Sequence, residues 1–245
     1  MASRRLRRFT RTERAVHWVH ASAFVILLVT GLALYLPSLA EAVGRRPLLK
    51  SIHVYTAVAW LVALVLVVVV GDRASLRATA REIDLFDRDD RAWLKGRRPP
   101  QGRLNAGQKV NAILTAVFAL MFALTGFFLW YGERNTRFRF AQTILIHDWL
   151  MYISFVLFLG HLYLSLINPK TRHALNGMTR GWVDEDWARA HHAKWAAQAP
   201  SDEHAHGPQQ HGGHPNYEET EALSHWKTDG IGNSGDRRYH RKNGE

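Results

Sequence analysis

Two histidines stand in an apolar stretch that reads TILIHDWLMYISFVLFLGHLY over residues 143–163. They are His147 and His161, fourteen residues apart. On an α-helix this separation corresponds to a rise of about 21 Å and close to four turns, so both imidazoles face the same side near opposite ends. A polar ring inside a membrane is costly and usually has a partner. Since neutral imidazole is a good metal ligand, the spacing favours two metal-holding levels along one helix.

This stretch belongs to one of four apolar runs, at about 15–36, 52–70, 110–130 and 143–167. Each run is long enough for a helix to cross a hydrocarbon core of about 30 Å. We therefore expect an all-α integral membrane protein, a bundle of four transmembrane helices. The basic residues before the first run are less typical of a signal peptide, because the run is too long and lacks a small-residue cleavage site.

Charge predicts the orientation of the spans. The 245 residues carry a net charge of +11, which in a soluble protein would suggest nucleic acid. In a membrane protein, Lys and Arg instead collect in cytoplasmic segments. The N-terminus and the 71–109 connection are the most basic parts, whereas the connections near 37–51 and 131–142 are shorter and less basic. We therefore expect cytoplasmic N- and C-termini and no nucleic-acid partner.

The sequence divides into four expected segments. They are a basic cytoplasmic N-terminus (1–14), a membrane domain (15–169), a cytoplasmic segment that could be helical (170–197) and a His-rich tail (198–245). The tail is polar and rich in Gly, Pro and His, which predicts disorder. Within the central connection, ASLRATAREIDLFDRDDRAWLKG reads as an amphipathic interfacial helix. No internal repeat of the chain is apparent.

The order of the spans gives each histidine of span four a partner. His53 lies at the outer end of span two, level with His147, and His17 lies at the inner end of span one, level with His161. Two imidazoles at one level, from two helices, are what a six-coordinate haem iron requires. We therefore expect two b-type haems that transfer electrons, because both axial positions are filled. His20, one turn from His17, competes with it as the inner ligand.

The chain contains no cysteine. Disulfides, thiolate-bound iron–sulfur clusters and covalent haem attachment through C-x-x-C-H are therefore excluded on these residues. Any redox cofactor must be held by other ligands, chiefly His or Met.

The segment NAGQK, residues 105–109, opens the third span at the level of the inner histidine pair. Asn105 and Gln108 fit a capping box, which from the residues alone is the favoured explanation. The functional interpretation is a quinone site. Asn and Gln can donate hydrogen bonds to a quinone carbonyl, and Gly107 lets a flat ring approach the backbone. Protons for such a quinone would come from the cytoplasm.

These motifs together resemble the gamma subunit of respiratory formate dehydrogenase, which is its cytochrome b membrane subunit. The resemblance is carried by RAVHW at 14–18, SIHVYTA at 51–57, LNAGQK at 104–109, LIHDW at 145–149, GHLYLSL at 160–166, GMTRG at 177–181 and WARAHHAKW at 187–195. It covers roughly residues 10–197 in the right span order. Leu104 stands where that family suggests Tyr, Val54 stands where it suggests Pro, and the tail beyond 198 lies outside the pattern.

The resemblance implies ligands, partners and a location. The cytoplasmic-side haem would be held by His17 and His161, and the periplasmic-side haem by His53 and His147. A menaquinone or ubiquinone site near His161 would be lined by Asn105, Gly107 and Gln108. An iron–sulfur beta subunit would feed the outer haem, and a molybdenum or tungsten alpha subunit would oxidise formate. The complex, which could form higher oligomers, would lie in the bacterial inner membrane.

Two other functions remain open from the residues. The cytochrome b of a membrane-bound hydrogenase or another molybdoenzyme would use nearly the same chemistry on this chain and differ in its partner. A His-dependent metal or proton transporter belongs to a different class. It would need acidic partners for the histidines near the midplane, and the spans contain almost none.

Overall fold

Four long helices dominate the computed structural model, which describes residues 4–199. In chain order the helices and strands are β1 (Arg5–Arg7), α1 (Arg11–Tyr35), α2 (Pro37–Val43), α3 (Arg46–Val70), α4 (Arg73–Asp84), α5 (Arg88–Leu94), α6 (Ala106–Gly132), α7 (Ala141–Leu162), α8 (Leu175–Thr179), β2 (Trp182–Asp184), α9 (Glu185–His191) and α10 (Ala193–Ala196). Helices α1, α3, α6 and α7 are long and apolar enough to cross a membrane, which confirms the four predicted spans. The chain is a multi-pass membrane protein.

Helices α1 and α6 extend beyond the apolar runs because their first turns are polar and capped. Helix α1 begins at Arg11, where Thr10 accepts a hydrogen bond from the Glu13 amide and the Glu13 carboxylate accepts one from the Thr10 amide. This reciprocal capping box satisfies amide groups that have no partner within the helix. The last span ends differently: α7 continues into a π-helical turn over Tyr163–Ile167.

The outer surfaces of the long helices are apolar and exposed. In α3, Trp60 is the buried residue, and Val70 is 81% exposed. Large apolar surfaces of this kind are rare on soluble monomers. They fit helices that are surrounded by lipid.

Backbone packing joins the long helices as two hairpins. Helix α1 packs closely on α3, and α6 packs closely on α7. The two hairpins meet through side chains, including the ring pairs Phe24–Phe158 and Tyr35–Tyr152. We call the end at which α1 and α6 begin the basic end, and the opposite end the short-loop end.

The connection between the hairpins forms two helices, so the prediction of one amphipathic helix was wrong. Helix α4 ends at Asp84 and α5 starts at Arg88. Asp87 interrupts them because its side chain caps α5, accepting a hydrogen bond from the Asp90 amide at 2.9 Å. The Asp90 carboxylate accepts one from the Asp87 amide at 3.1 Å. Both helices lie at the basic end and contact α6.

The segment after the last span is helical only in short pieces. Its strand β2 pairs antiparallel with the N-terminal strand β1, with Leu6 opposite Val183, so the expected all-α fold contains one small sheet of two three-residue strands. Leu6, Val183, Ala188 and Ala196 are buried together and form a small core. The predicted disorder of the His-rich tail concerns residues that, apart from 198 and 199, lie outside the described part of the chain.

Candidate functional site

At the basic end, His17 of α1 and His161 of α7 face each other. Their ring centroids are 6.3 Å apart, and the rings are inclined by 49°. The Nδ1 atom of His17 is buried and has no hydrogen-bond partner within residues 4–199. Two imidazoles that bind one metal atom through nitrogens at about 2 Å hold their ring centroids about 6 Å apart. The pair therefore has the spacing of two axial ligands.

At the short-loop end, His53 of α3 and His147 of α7 form a second pair. Their ring centroids are 6.4 Å apart, with 67° between the ring planes. Each Nδ1 lies 2.8 Å from a threonine hydroxyl, Thr30 for His53 and Thr125 for His147. The threonines are buried, at 7% and 6% exposure. This pair has the same ligand spacing as the first, and its rings are anchored.

The anchoring threonines occupy equivalent places in the two hairpins. Each precedes a glycine, Gly31 in α1 and Gly126 in α6. A Cβ at these glycines would lie 3.5 Å and 3.8 Å from Cε1 of the neighbouring histidine. This local correspondence was not predicted from the sequence, in which no internal repeat of the chain is apparent. Its signal is the dipeptide Thr-Gly, which occurs near the end of spans one and three and is followed by a histidine early in the next span.

The region between the two pairs contains polar atoms without partners. His20 packs against Trp60, with centroids 5.7 Å apart, so it is His17 and not His20 that the structure places opposite His161. The buried atoms Nε1 of Trp60 and Oγ of Ser154 have no hydrogen-bond partner within residues 4–199. Both residues stand seven positions after an outer histidine, at a depth about halfway between the levels.

Four of the described histidines of the spans meet as two pairs, and His20 packs against Trp60 instead. Within residues 4–199, no three or more His, Cys, Asp or Glu side chains come together in a way that could hold a metal ion. A free zinc ion usually needs three or four protein ligands, whereas haem iron needs at most two. The donor set and the ring spacing thus fit haem.

The segment that opens α6 forms the capping box. Asn105 Oδ1 accepts a hydrogen bond from the Gln108 amide at 2.9 Å, and Gln108 Oε1 accepts one from the Asn105 amide at 3.0 Å. Neither side-chain amide nitrogen donates a hydrogen bond within the described residues. Gly107 lies under Trp93, since a Cβ there would be 2.7 Å from Cη2 of the indole. In this structure it is therefore the Trp93 indole that lies close to the Gly107 backbone.

Beside this segment lies a charge network that was not predicted from the sequence. The Arg103 guanidinium donates to Glu13 at 2.7 Å, to Glu82 at 2.8 Å and to Thr79 at 2.7 Å. Burial opposes its charge, but hydrogen bonds and the nearby carboxylates raise the pKa of Arg103. Glu13 stands one turn before His17, so the network joins the inner histidine level to the connection between the hairpins.

Arg8 and His192 extend the network to the C-terminal segment. Arg8 Nη2 donates to the Arg103 carbonyl at 2.8 Å and lies 3.3 Å from Oε1 of Gln108. Burial and the nearby Arg103 charge lower the pKa of Arg8 to about 10. His192 Nδ1 lies 2.7 Å from the Gly102 carbonyl. Burial, with the charge of Arg8, lowers the pKa of His192 to about 3, so this histidine is neutral.

Comparisons with known proteins identify a family and several relatives. The family described as prokaryotic cytochrome b561 matches residues 8–181. The chain is 26% identical over 204 residues to the cytochrome b556(fdo) subunit of formate dehydrogenase from Escherichia coli K12, covering 77% of this chain and 90% of the relative. It is 22% identical over 203 residues to the formate dehydrogenase cytochrome b556 subunit of Haemophilus influenzae, covering 78% and 82%. It is 26% identical over 201 residues to the nitrate-inducible formate dehydrogenase cytochrome b556(Fdn) subunit of Escherichia coli K12, covering 75% and 86%. The resemblance to formate dehydrogenase cytochrome b subunits is confirmed.

Proposed function

The chain belongs to the prokaryotic cytochrome b561 family, and from this premise we propose that it is the dihaem membrane subunit of a formate dehydrogenase complex. It would pass electrons from an iron–sulfur beta subunit, by way of two b-type haems, to menaquinone or ubiquinone. The relatives named above are formate dehydrogenase subunits, which favours this partner over that of a hydrogenase or another molybdoenzyme.

The two depth-separated histidine pairs carry the proposal. His17 with His161, and His53 with His147, have ring centroids 6.3 Å and 6.4 Å apart, a spacing at which each pair would hold one haem iron. Haem iron ligated on both sides supplies reversible one-electron transfer when bound. The chain itself holds the four imidazoles at two levels about 21 Å apart along α7, so that electrons can cross the bilayer.

We place the quinone at the basic end, beside His161, with Asn105, Gly107 and Gln108. The cap uses the side-chain oxygens of Asn105 and Gln108, and their amide nitrogens are available as donors to a quinone carbonyl. Trp93 covers Gly107, so a quinone ring would contact the indole or require it to move. The Arg8 guanidinium, near Gln108 Oε1, would help to hold the orientation of that amide.

The orientation and partners follow from charge and chemistry. With the basic end in the cytoplasm of a bacterial inner membrane, the quinone would take up cytoplasmic protons while electrons move inward. The membrane domain would span 15–169, preceded by residues 1–14 and followed by the cytoplasmic residues 170–197 and the tail 198–245. Because the chain has no cysteine, the clusters that deliver electrons must lie on the beta subunit, and the molybdenum or tungsten alpha subunit would oxidise formate.

A difference spectrum of the complex tests the proposal. Formate should reduce both haems in the purified complex. His17→Ala and His53→Ala should each remove about half of the haem absorbance, because each variant breaks one pair. An unchanged spectrum in either variant would refute the ligand assignment. Reduction by hydrogen and not by formate would favour a hydrogenase partner.

A further inference from the structure

Two threonines lie beside the outer histidines, and the direction of their hydrogen bonds can be deduced from the partners of each hydroxyl. Thr30 Oγ1 lies 2.7 Å from the Ile26 carbonyl, and Thr125 Oγ1 lies 2.7 Å from the Met121 carbonyl. A carbonyl oxygen can only accept, so each hydroxyl proton points to the preceding turn of its own helix. The hydroxyl oxygen is then left to accept from the imidazole Nδ1 that lies 2.8 Å away.

We propose that Thr30 and Thr125 are positioning residues that hold His53 and His147 in the Nδ1–H tautomer. In that tautomer Nε2 carries the lone pair, which is the form that a metal ligand requires. Ligating histidines usually donate their second N–H to a partner that fixes the ring and raises its basicity. This inference rests on the proposed function, since it assigns a role to residues beside the proposed outer ligands.

Within residues 4–199 the arrangement occurs twice, and both times at the outer level. Both threonines are buried, and each comes from the long helix that precedes its histidine in the same hairpin. At the inner level, His17 Nδ1 is buried and has no hydrogen-bond partner within the described residues. All four proposed ligands are histidines, but the imidazoles at the outer site would thus be more basic than those at the inner site.

A hydrogen bond in the reverse direction, from the threonine hydroxyl to Nδ1, would have the opposite effect on haem binding. If each hydroxyl proton pointed to the histidine instead, Nδ1 would be the acceptor and Nε2 would carry the hydrogen. Such an imidazole could not bind iron through Nε2. Removing the hydroxyl would then help haem binding at the outer site or leave it unchanged.

Thr30→Val and Thr125→Val test the inference, because valine keeps the branched shape and lacks the hydroxyl. In an optical redox titration of the purified complex, only the haem component that is lost in His53→Ala should respond. Its midpoint potential should rise because the ligand becomes less basic, and its affinity for haem should fall roughly 10- to 100-fold. The component that is lost in His17→Ala should be unchanged and shows that the protein is folded.

Two variants serve as controls. Thr115→Val removes a hydroxyl that also bonds to the carbonyl one turn earlier, at 2.8 Å, but contacts no histidine, so both components should keep their potentials. Thr30→Ser retains a hydroxyl and should restore the outer component. The inference fails if the threonine-to-valine variants leave the outer component unaltered, or if they change both components equally. The dihaem assignment itself fails separately, through the histidine variants.

Discussion

Arg8 donates a hydrogen bond from Nη2 to Nε2 of His192, which lies 3.0 Å away and 184 residues later in the chain. The direction follows because His192 Nδ1 donates its hydrogen to the Gly102 carbonyl, leaving Nε2 as the acceptor. Arg8 is 2% exposed and so is His192. This contact ties the residue that follows the N-terminal strand to the C-terminal segment.

The His192 contact predicts that the C-terminal segment detaches in acid. The pKa of His192 is about 3 when the segment is docked, below its ordinary value of 6.5. Between these values the detached segment binds a proton that the docked one does not, so docking weakens as the pH falls from 6.5 toward 3. The protection of residues 182–199 against hydrogen exchange, measured by mass spectrometry and corrected for the intrinsic pH dependence of amide exchange, should fall over this range.

Matched substitutions isolate the histidine. His192→Gln should flatten the pH dependence of that corrected protection between pH 4 and 6.5, because it removes the titrating group. His191→Gln changes an exposed neighbour and should leave the dependence as it is in the unmodified protein. A pH dependence that survives in His192→Gln would contradict the assignment.

Arg103→Met should strongly destabilise the basic end. It leaves the Glu13 carboxylate, whose side chain is 5% exposed, buried without its main charge partner. Removing one member of such a pair costs about 3–5 kcal/mol of unfolding free energy. The exposed pair Lys50–Glu133 provides the comparison, since Lys50→Met should cost less than about 1 kcal/mol.

Thermal unfolding in detergent would measure both changes. Adding Glu13→Gln to Arg103→Met should recover part of the loss, because the unpaired charge is then gone. Equal effects of Arg103→Met and Lys50→Met would show that burial of the network has no energetic weight.

Gly107→Ala should disturb the packing of α5 on α6. The new Cβ would lie 2.7 Å from Cη2 of Trp93, which forces the indole or the helix to move. Overpacking of this kind costs about 1–3 kcal/mol of unfolding free energy. Gly102→Ala is the control, because the nearest atom to its Cβ, the Leu104 carbonyl oxygen, would be 3.7 Å away.

A second substitution separates the steric effect from other causes. Trp93→Phe in the Gly107→Ala background should restore much of the unfolding temperature, since the shorter ring leaves room for the methyl group. If the double variant is no more stable than Gly107→Ala, the contact with Trp93 is not the cause.

Gln108→Glu should slow electron transfer to quinone without changing the haem spectrum. Glutamate keeps an oxygen for the Asn105 amide and Arg8, but it lacks the amide hydrogens that would bond to a quinone carbonyl. The loss of one hydrogen bond of about 1 kcal/mol corresponds to roughly a fivefold weaker interaction. Steady-state quinone reduction with formate would measure it.

Gln142→Glu provides the matched control for this prediction. Gln142 is exposed near the start of α7, at the short-loop end. The same change of chemistry there should not alter quinone reduction. Equal rates in the Gln108→Glu and unmodified complexes would argue against a quinone site at this position.

Much of the architecture was predictable because it depends on local pattern. Apolar runs of membrane length predicted four spans, and four helices long and apolar enough to cross a membrane are present. Asn105 and Gln108, three residues apart, predicted the capping box that is present. The separation of fourteen positions from His147 to His161 sets the two histidine levels through helix geometry alone. The prediction of a single helix in the central connection was wrong, because the Asp87 cap divides it into two.

The sequence by itself determined the spans, the histidine levels and the charge asymmetry, because hydrophobicity, helical rise and composition are properties of short stretches. Only the tertiary structure decided which side chains of different helices and connections meet. Thr30 with His53, Trp93 with Gly107, and Arg8 with His192 are contacts between separate segments of the chain. Such contacts depend on how whole helices pack and which faces they bury, so no periodicity within one segment reveals them.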